Sequence, residues 1–311
     1  MKRTLLVLQA LFLVLTVSAL YLAVCEITGN TGGFARFNYS KPVYDGKEDF
    51  DPSLQRLNSV QSLGQYCDSI YNTTVSKSGN FALDYSTIVR KTVRQRFYHG
   101  YSSFGFGNNF MALVGEVFYK PGISSVVLPN QILKYPYGAC SQQSIVVMEL
   151  LKRRDLQVRK VGFPQVNGMG HFCVEVNYDK AWHFIDVDME PNMDVLASHN
   201  FPDAAYLAAH EEVVKQAYAG HEQERAVALF GTRIFYGDIN AFPAKTGKLY
   251  QLACWVLSYT IWLFFAICFI LARRKYRSLA SNYVRNSRIH FPQPQPARSA
   301  GSYPDFALPR T

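Results

Sequence analysis

The sequence predicts an α+β domain held between two membrane-spanning helices, and three observations carry that expectation. Two uncharged apolar runs, Leu5 to Val24 and Leu252 to Ala272, stand towards the ends of a chain of 311 residues. From Ser141 to Arg153 the residues Ile145, Val146, Val147, Met148, Leu150 and Leu151 recur densely enough for a mostly buried helix. The segments His171-Phe172-Cys173-Val174-Glu175-Val176 and Trp182-His183-Phe184-Ile185-Asp186-Val187 alternate as the two strands of a hairpin, turning at Asn177-Tyr178-Asp179-Lys180.

The first apolar run follows Met1-Lys2-Arg3-Thr4 and is interrupted only by the uncharged Gln9, Thr16 and Ser18. About twenty such residues cross a bilayer core of ~30 Å. A cleaved signal peptide would find a small-residue site at Val17-Ser18-Ala19, but the run exceeds a signal core of roughly 7–15 residues, so residues 1–25 read as an uncleaved signal anchor. The second run is followed at once by Arg273-Arg274-Lys275-Tyr276-Arg277, a basic stop of the kind that marks the cytoplasmic side. Lys2 and Arg3 put the N-terminus on that side too. The segment between is then expected outside the cytoplasm, on a cell membrane for which the bacterial inner membrane is the expected setting.

Charge follows the same division. Of 32 basic residues, two precede the first run and eight follow the second, while Asp305 is the only one of 23 acidic residues in those flanks. The middle therefore carries 22 of each sign, and the pI near 9.2 is a property of the tails. No basic excess remains for a nucleic-acid surface. The expected organisation is an anchor over 1–25, a linker over 26–50, a domain over 51–249, a span over 250–272 and a basic, Pro-containing cytoplasmic tail over 273–311.

Within the domain, Asp51-Pro52-Ser53 predicts the start of a helix with Leu54, Leu57, Val60, Leu63 and Tyr66 on one stripe. A second helix is expected from Tyr85 to Phe97 with Ile88, Val89 and Val93 inward, a third from Asn109 to Phe118, and a later one from Pro202 to Ala219, ending at Gly220. A short strand is expected between the buried helix and the hairpin.

Cys140, His171 and Asp186 are the candidate catalytic residues. A thiol, an imidazole and a carboxylate in that order supply a nucleophile, a base to take its proton and an acid to orient the base. With a hairpin loop of two residues (178 and 179) or four (177 to 180), paired positions place His171 directly opposite Asp186, where Cβ atoms are about 5 Å apart. The same register gathers Phe172, Val174, Val176, Ile185 and Val187 on the opposite face. His183 falls on that opposite face and is not expected to be the base. Cys140 lies at a helix N-terminus, where the dipole and unpaired N–H groups favour thiolate over thiol and can hold an oxyanion, with a second N–H from an upstream residue. Gly138 and Ala139 are expected to leave room for a substrate.

The pattern Gly138-Ala139-Cys140-Ser141-Gln142-Gln143-Ser144, then Gly170-His171-Phe172-Cys173-Val174-Glu175-Val176, then Lys180-Ala181-Trp182-His183-Phe184-Ile185-Asp186 resembles the transglutaminase-like superfamily, whose core is shared with papain-like thiol enzymes. The match covers roughly residues 130 to 190. The resemblance implies a helix carrying the nucleophile packed on an antiparallel sheet carrying His and Asp, extra helices before it, and acyl transfer through a thioester. It implies Cys140 as nucleophile, His171 as base and Asp186 as orienting acid, with Trp182 matching the aromatic that commonly precedes the aspartate.

Other readings stand beside this one. Each of the three residues alone has an ordinary structural role, and His99, among tyrosines, reads as a packed or surface residue more than a cleft residue. A zinc site from Cys140, His171 and Cys173 has the right ligand types but no Cys-x-x-Cys or His-x-x-x-His pair, so neither metal nor cofactor is expected. Outside the spans, Cys67, Cys140 and Cys173 allow a Cys67–Cys173 disulfide, or a Cys140–Cys173 pairing that would block the nucleophile. The expected substrate is an acyl group on a protein, a peptide or a cell-envelope component. The opposing class is an anchored binding or assembly protein that uses the fold without turnover.

Overall fold

A computed structural model describes residues 2–30, 36, 38–74, 77–166, 169–220 and 222–289. The Pro292 to Pro296 stretch of the expected tail lies outside them. The chain divides into two units, Met1–Leu20 with Thr260–Thr311, and Tyr21–Tyr259. Helix α1 (Lys2–Thr28) takes up the first apolar run. Residues 38–50 form neither helix nor strand, yet they are tied to the domain. Asn38 accepts from the Phe106 N–H at 2.8 Å and donates to its carbonyl at 3.3 Å, and Tyr44 and Phe50 pack on Tyr98.

The helix expected from Asp51 through Tyr66 is two pieces. Asp51 caps a 3-10 turn (Pro52–Arg56), and Ser59 opens α2 (Val60–Thr73), the Ser59 and Ser62 side chains capping each other's N–H. The apolar stripe runs through the break, which is why periodicity alone hid the second cap. Asn80 caps α3 (Phe81–Arg96), which starts a turn before Tyr85, and Asn109 caps α4 (Phe110–Phe118). A single turn, α5 (Pro129–Ile132), leads to α6 (Cys140–Lys152). Then come β1 (Gln157–Val166), at ten residues longer than the short strand expected, β2 (Met169–Tyr178) and β3 (Ala181–Ile185). After α7 (Met193–Ser198), the helix expected over 202–219 breaks at His210 into α8 (Ala204–Ala209) and α9 (Glu211–Ala217). The His210 ring donates back to the Tyr206 carbonyl at the break. α10 (Gln223–Phe230), β4 (Phe235–Tyr236) and α11 (Lys245–Ile289) complete the order.

The sheet is antiparallel with strand order β3-β2-β1-β4. Alternation gives it two apolar faces. Val158, Val174, Val176 and Ile185 pack with Val89 and Val93 of α3 and Val146, Val147 and Leu150 of α6. Val161, Phe163, Cys173 and Phe184 pack beneath Leu196, Leu207, Val213, Leu229 and Phe230 of α7–α10. The sheet is thus the middle of three layers, buried on both sides, and polar residues on it must find partners.

The β2–β3 register differs from expectation by one step of the pleat. Val174 pairs Ile185, Val176 pairs His183 and Tyr178 pairs Ala181. The loop is Asp179–Lys180, both left-handed (φ 49° and 63°), as a two-residue type I′ turn requires. An aromatic Tyr178 suits the strand better than such a turn position. Because the shift of each strand pairing is even, every side chain keeps its predicted face. Asp186 is not directly across from His171; it lies just past the end of β3 and reaches the imidazole on the diagonal.

Among the described residues, two helices are long and apolar enough to cross a membrane, Lys2–Thr28 and Lys245–Asn282. Their apolar side chains, such as Val7, Val14 and Val17 in the first and Val256, Phe264 and Ile267 in the second, are largely exposed, unlike those of a buried core helix.

One buried cation fastens the segments before α6. Arg96, 1% exposed, donates to the carbonyls of Leu133 (2.6 Å), Tyr135 (3.0 Å) and Leu57 (3.3 Å), and burial lowers its pKa to about 10. Replacing it by Met leaves those carbonyls without a donor. Arg96→Met is expected to lower the unfolding free energy by roughly 3 kcal/mol, measured by chemical denaturation, whereas the exposed Lys91→Met stays within about 0.5 kcal/mol of wild type.

Candidate active site

Cys140 is the first residue of α6, and the first turn of that helix is held by three polar side chains. Gln142 is buried; its Oε1 accepts from the N–H of Ala139 (3.1 Å) and Ser102 (3.0 Å), and its Nε2 donates to the carbonyls of Ser102 (2.7 Å) and Val126 (2.9 Å). Gln143 donates to the Gly138 carbonyl (2.8 Å) and to Asp188 Oδ1 (3.1 Å). Ser144 donates to the Phe172 carbonyl at 2.9 Å, which sets the turn against β2 next to His171. The helix start is therefore fixed on both flanks.

Two expectations about this turn change. The Gly138 N–H bonds the Tyr98 carbonyl and the Ala139 N–H bonds Gln142, so neither upstream N–H is free to hold an oxyanion. The Cys140 and Ser141 N–H groups have no acceptor among the described residues. Gly138 and Ala139 are buried, and a Cβ on Gly138 would touch Phe97 and Gln143 at 3.4 Å. The small residues serve close packing of the turn; they do not open a path to the sulfur.

His171 and Asp186 are paired. His171 Nε2 lies 2.8 Å from Asp186 Oδ2, with both side chains almost wholly buried. Tyr218, at the end of α9, donates to the same oxygen at 3.0 Å, and the N–H groups of Asp188 (3.0 Å) and Met189 (3.1 Å) donate to Oδ1. Burial alone would raise the Asp186 carboxyl, but the charge and hydrogen bond of His171 and the two N–H donors outweigh it and hold it down at about 2. Burial opposes the His171 imidazolium, and the charge and hydrogen bond of Asp186 overcome it, so its pKa stands well above the ordinary value.

With Nε2 so occupied, His171 Nδ1 is buried and has no hydrogen-bond partner among the described residues. Cys140 Sγ, a His171 ring nitrogen and an Asp188 carboxylate oxygen lie within 4.8 Å of one another. The structure thus gathers all three predicted residues, Cys140, His171 and Asp186, at one end of the sheet.

The second sulfur nearby is Cys173, fully buried within 4.8 Å of His171 and Asp186. Burial first, and then Asp186, push its thiol well above the usual range, so it stays protonated. Burial likewise pushes Cys67 up to about 11. Cys67 and Cys173 belong to the apolar clusters on opposite faces of the sheet, so the disulfide considered between them does not form, and all six cysteines are free.

Asp188 and Tyr218 were not anticipated. Asp188 Oδ1 accepts from His99 Nδ1 at 2.8 Å as well as from Gln143, and the carboxylate is 3% exposed. The signal was present as Asp186-Val187-Asp188, two acids on one face of an extended segment. His99 is half-exposed and its pKa is raised chiefly by the Asp188 bond; it borders a cavity of about 480 Å³ with Asp188, Arg94 and Arg225. Tyr218 comes from 32 residues beyond Asp186, and nothing in its local sequence marks it. His183 faces the main-chain carbonyl of Phe201 through Nδ1 (2.7 Å) and that of Tyr178 through Nε2 (3.2 Å), and stacks on the Tyr178 ring, on the face opposite His171.

Two donor sets fit a metal by residue type, Cys140–His171–Asp188 and His171–Cys173–Asp186, and they share His171. In the second, Cys173 would have to surrender a proton that its surroundings hold firmly. No family model, no curated protein and no solved structure matches the chain.

The buried pair gives stability a defined pH window. Asp186, held below its unfolded value near 3.9, contributes above about pH 4 and loses that contribution, roughly 2 kcal/mol, as pH falls through about 2. His171, raised above its unfolded value, contributes below about pH 6.5 and loses it as pH rises through its folded value. The stability difference between wild type and Asp186→Asn is therefore expected to peak near pH 5, on the order of the unfolded values that bracket it, and to shrink on either side, read as the urea midpoint at each pH.

Proposed function

We propose that the chain is a membrane-anchored thiol acyl-transfer enzyme of transglutaminase-like type, with Cys140 as nucleophile, His171 as base and Asp186 as the residue that orients the base. One observation carries the reading: Asp186 engages Nε2 at 2.8 Å and leaves Nδ1 buried without a partner among the described residues, while a ring nitrogen of His171 lies within 4.8 Å of the sulfur of Cys140 at a helix N-terminus. His171 Nδ1 takes the Cys140 proton, and the thiolate attacks the carbonyl carbon of an amide or ester. The carbonyl electron pair moves to oxygen, where the free Cys140 and Ser141 N–H groups stabilise it. When the tetrahedral adduct collapses, the C–N or C–O bond breaks and the leaving group takes the proton from His171, so a thioester remains. Water then resolves it as a hydrolase, or an amine as a transamidase; hydrolysis is the default because water is always present.

The substrate is an acyl group on a protein, peptide or cell-envelope component. The basic stop after the second apolar run and Lys2-Arg3 before the first favour both termini in the cytoplasm and the α+β unit outside it, at a bacterial inner membrane. An exposed redox setting suits the arrangement, since Cys67 and Cys173 are buried and burial raises both thiols.

A thiol-directed acyl probe is expected to label Cys140 in the full-length protein. Cys140→Ala abolishes labelling, His171→Ala slows it by on the order of 10² to 10⁴, and Cys173→Ala changes it only a few-fold. A chelator leaves the rate unchanged; chelator-sensitive labelling would indicate the Cys140–His171–Asp188 metal set, and unselective labelling an anchored binding protein.

A further inference from the structure

A cavity of about 860 Å³ in the Tyr21–Tyr259 unit is separate from the His171–Asp186 pair. Its wall includes Glu26, just beyond the first apolar run, and Trp255 and Tyr259, early in the second. Aromatic residues are eight of those lining it, a composition typical of side chains placed at a membrane–water interface.

Glu26 is 9% exposed. Its Oε2 accepts the Phe110 N–H at 3.3 Å, Ser258, Tyr259 and Trp255 are further side-chain donors to the carboxyl group, and Oε1 itself is buried with no partner of hydrogen-bond geometry among the described residues. A buried carboxylate oxygen lacking a donor is costly unless something supplies one. Lys41 and Lys134 line the same cavity, are exposed, and form no ion pair among the described residues. The wall therefore offers one buried carboxyl oxygen open to a further donor among aromatic rings, and two cations at the more open positions that are unpaired among the described residues.

An organic ammonium is bound by aromatic faces and a carboxylate together, and a phosphodiester by exposed lysines. We propose that this cavity holds the headgroup of a zwitterionic aminophospholipid taken from the bilayer, its ammonium on Glu26 and its phosphodiester on Lys41 and Lys134. Binding at this site does not depend on the thiol chemistry. The two regions are nonetheless joined through Tyr137, three residues before Cys140, and through Tyr101, which lines the cavity and whose hydroxyl feels the charges of Cys140 and Asp188.

The test uses delipidated full-length protein in detergent, with lipid retention read by native mass spectrometry. One phosphatidylethanolamine is expected to be retained in preference to phosphatidylglycerol, and soluble glycerophosphoethanolamine much less. Glu26→Gln keeps an acceptor for the Phe110 N–H and is expected to weaken retention at least tenfold; the surface pair Lys41→Gln with Lys134→Gln, which leaves the core untouched, weakens it similarly. Cys140→Ala is expected to bind like wild type, which separates this proposal from the thiol reading. Equal retention of phosphatidylglycerol, retention of the soluble headgroup as strongly as the lipid, or undiminished binding by both sets of variants would overturn it.

Discussion

Placing the His171–Asp186 pair in a water-free interior is the constraint that the rest of the domain answers to. Two ionisable groups taken from water lose hydration that their mutual attraction alone does not reliably offset, so such a pair persists only where further hydrogen bonds complete it. Asp186 has them from Tyr218 and from two successive main-chain N–H groups. With His171 itself, the partners of Asp186 come from three places: the start of β2, the loop after β3, and the C-terminal end of α9. The α7–α10 layer is consequently more than a cover for the sheet, because it supplies the hydroxyl that shares the carboxylate oxygen with the imidazole.

The same demand explains why the nucleophile helix is so heavily fastened. Three consecutive polar residues at the start of α6 are spent on fixing its position: Gln142 against Ser102 and Val126, Gln143 against Gly138 and Asp188, Ser144 against β2. In an exposed helix such residues would face water. Here they are buried, and each satisfies main-chain groups that would otherwise be stranded as the chain enters the core. What remains free is the pair of N–H groups at Cys140 and Ser141, beside the sulfur.

Much of this was legible in the sequence because it rests on periodicity. The faces of β2 and β3, the buried run of α6 and the helix beginning near Asn109 follow from local pattern, and so does the gathering of Cys140, His171 and Asp186 at one end of the sheet. The errors are instructive in kind. The turn was placed one residue early because Asn177 and Tyr178 look permissive, whereas the left-handed conformations fall on Asp179 and Lys180. The breaks at Ser59 and His210 interrupt apolar stripes that continue through them. Gly138 seemed to make space, but packing against Phe97 fills it. Tyr218 and the partnering of Asp188 with His99 depend on contacts across tens of residues, which no local signal encodes.

The Asp179–Lys180 turn has a consequence for how a chain of this kind can vary in length. An insertion of two residues there would slide β3 along β2 by a whole pleat, leave each side chain on its layer and bring Asp186 directly across from His171. A single-residue change would send Asp186 towards α6 and carry Ile185 and Val187 to the α7–α10 side. Length variation in this loop should therefore be confined to even steps among chains that keep the buried pair.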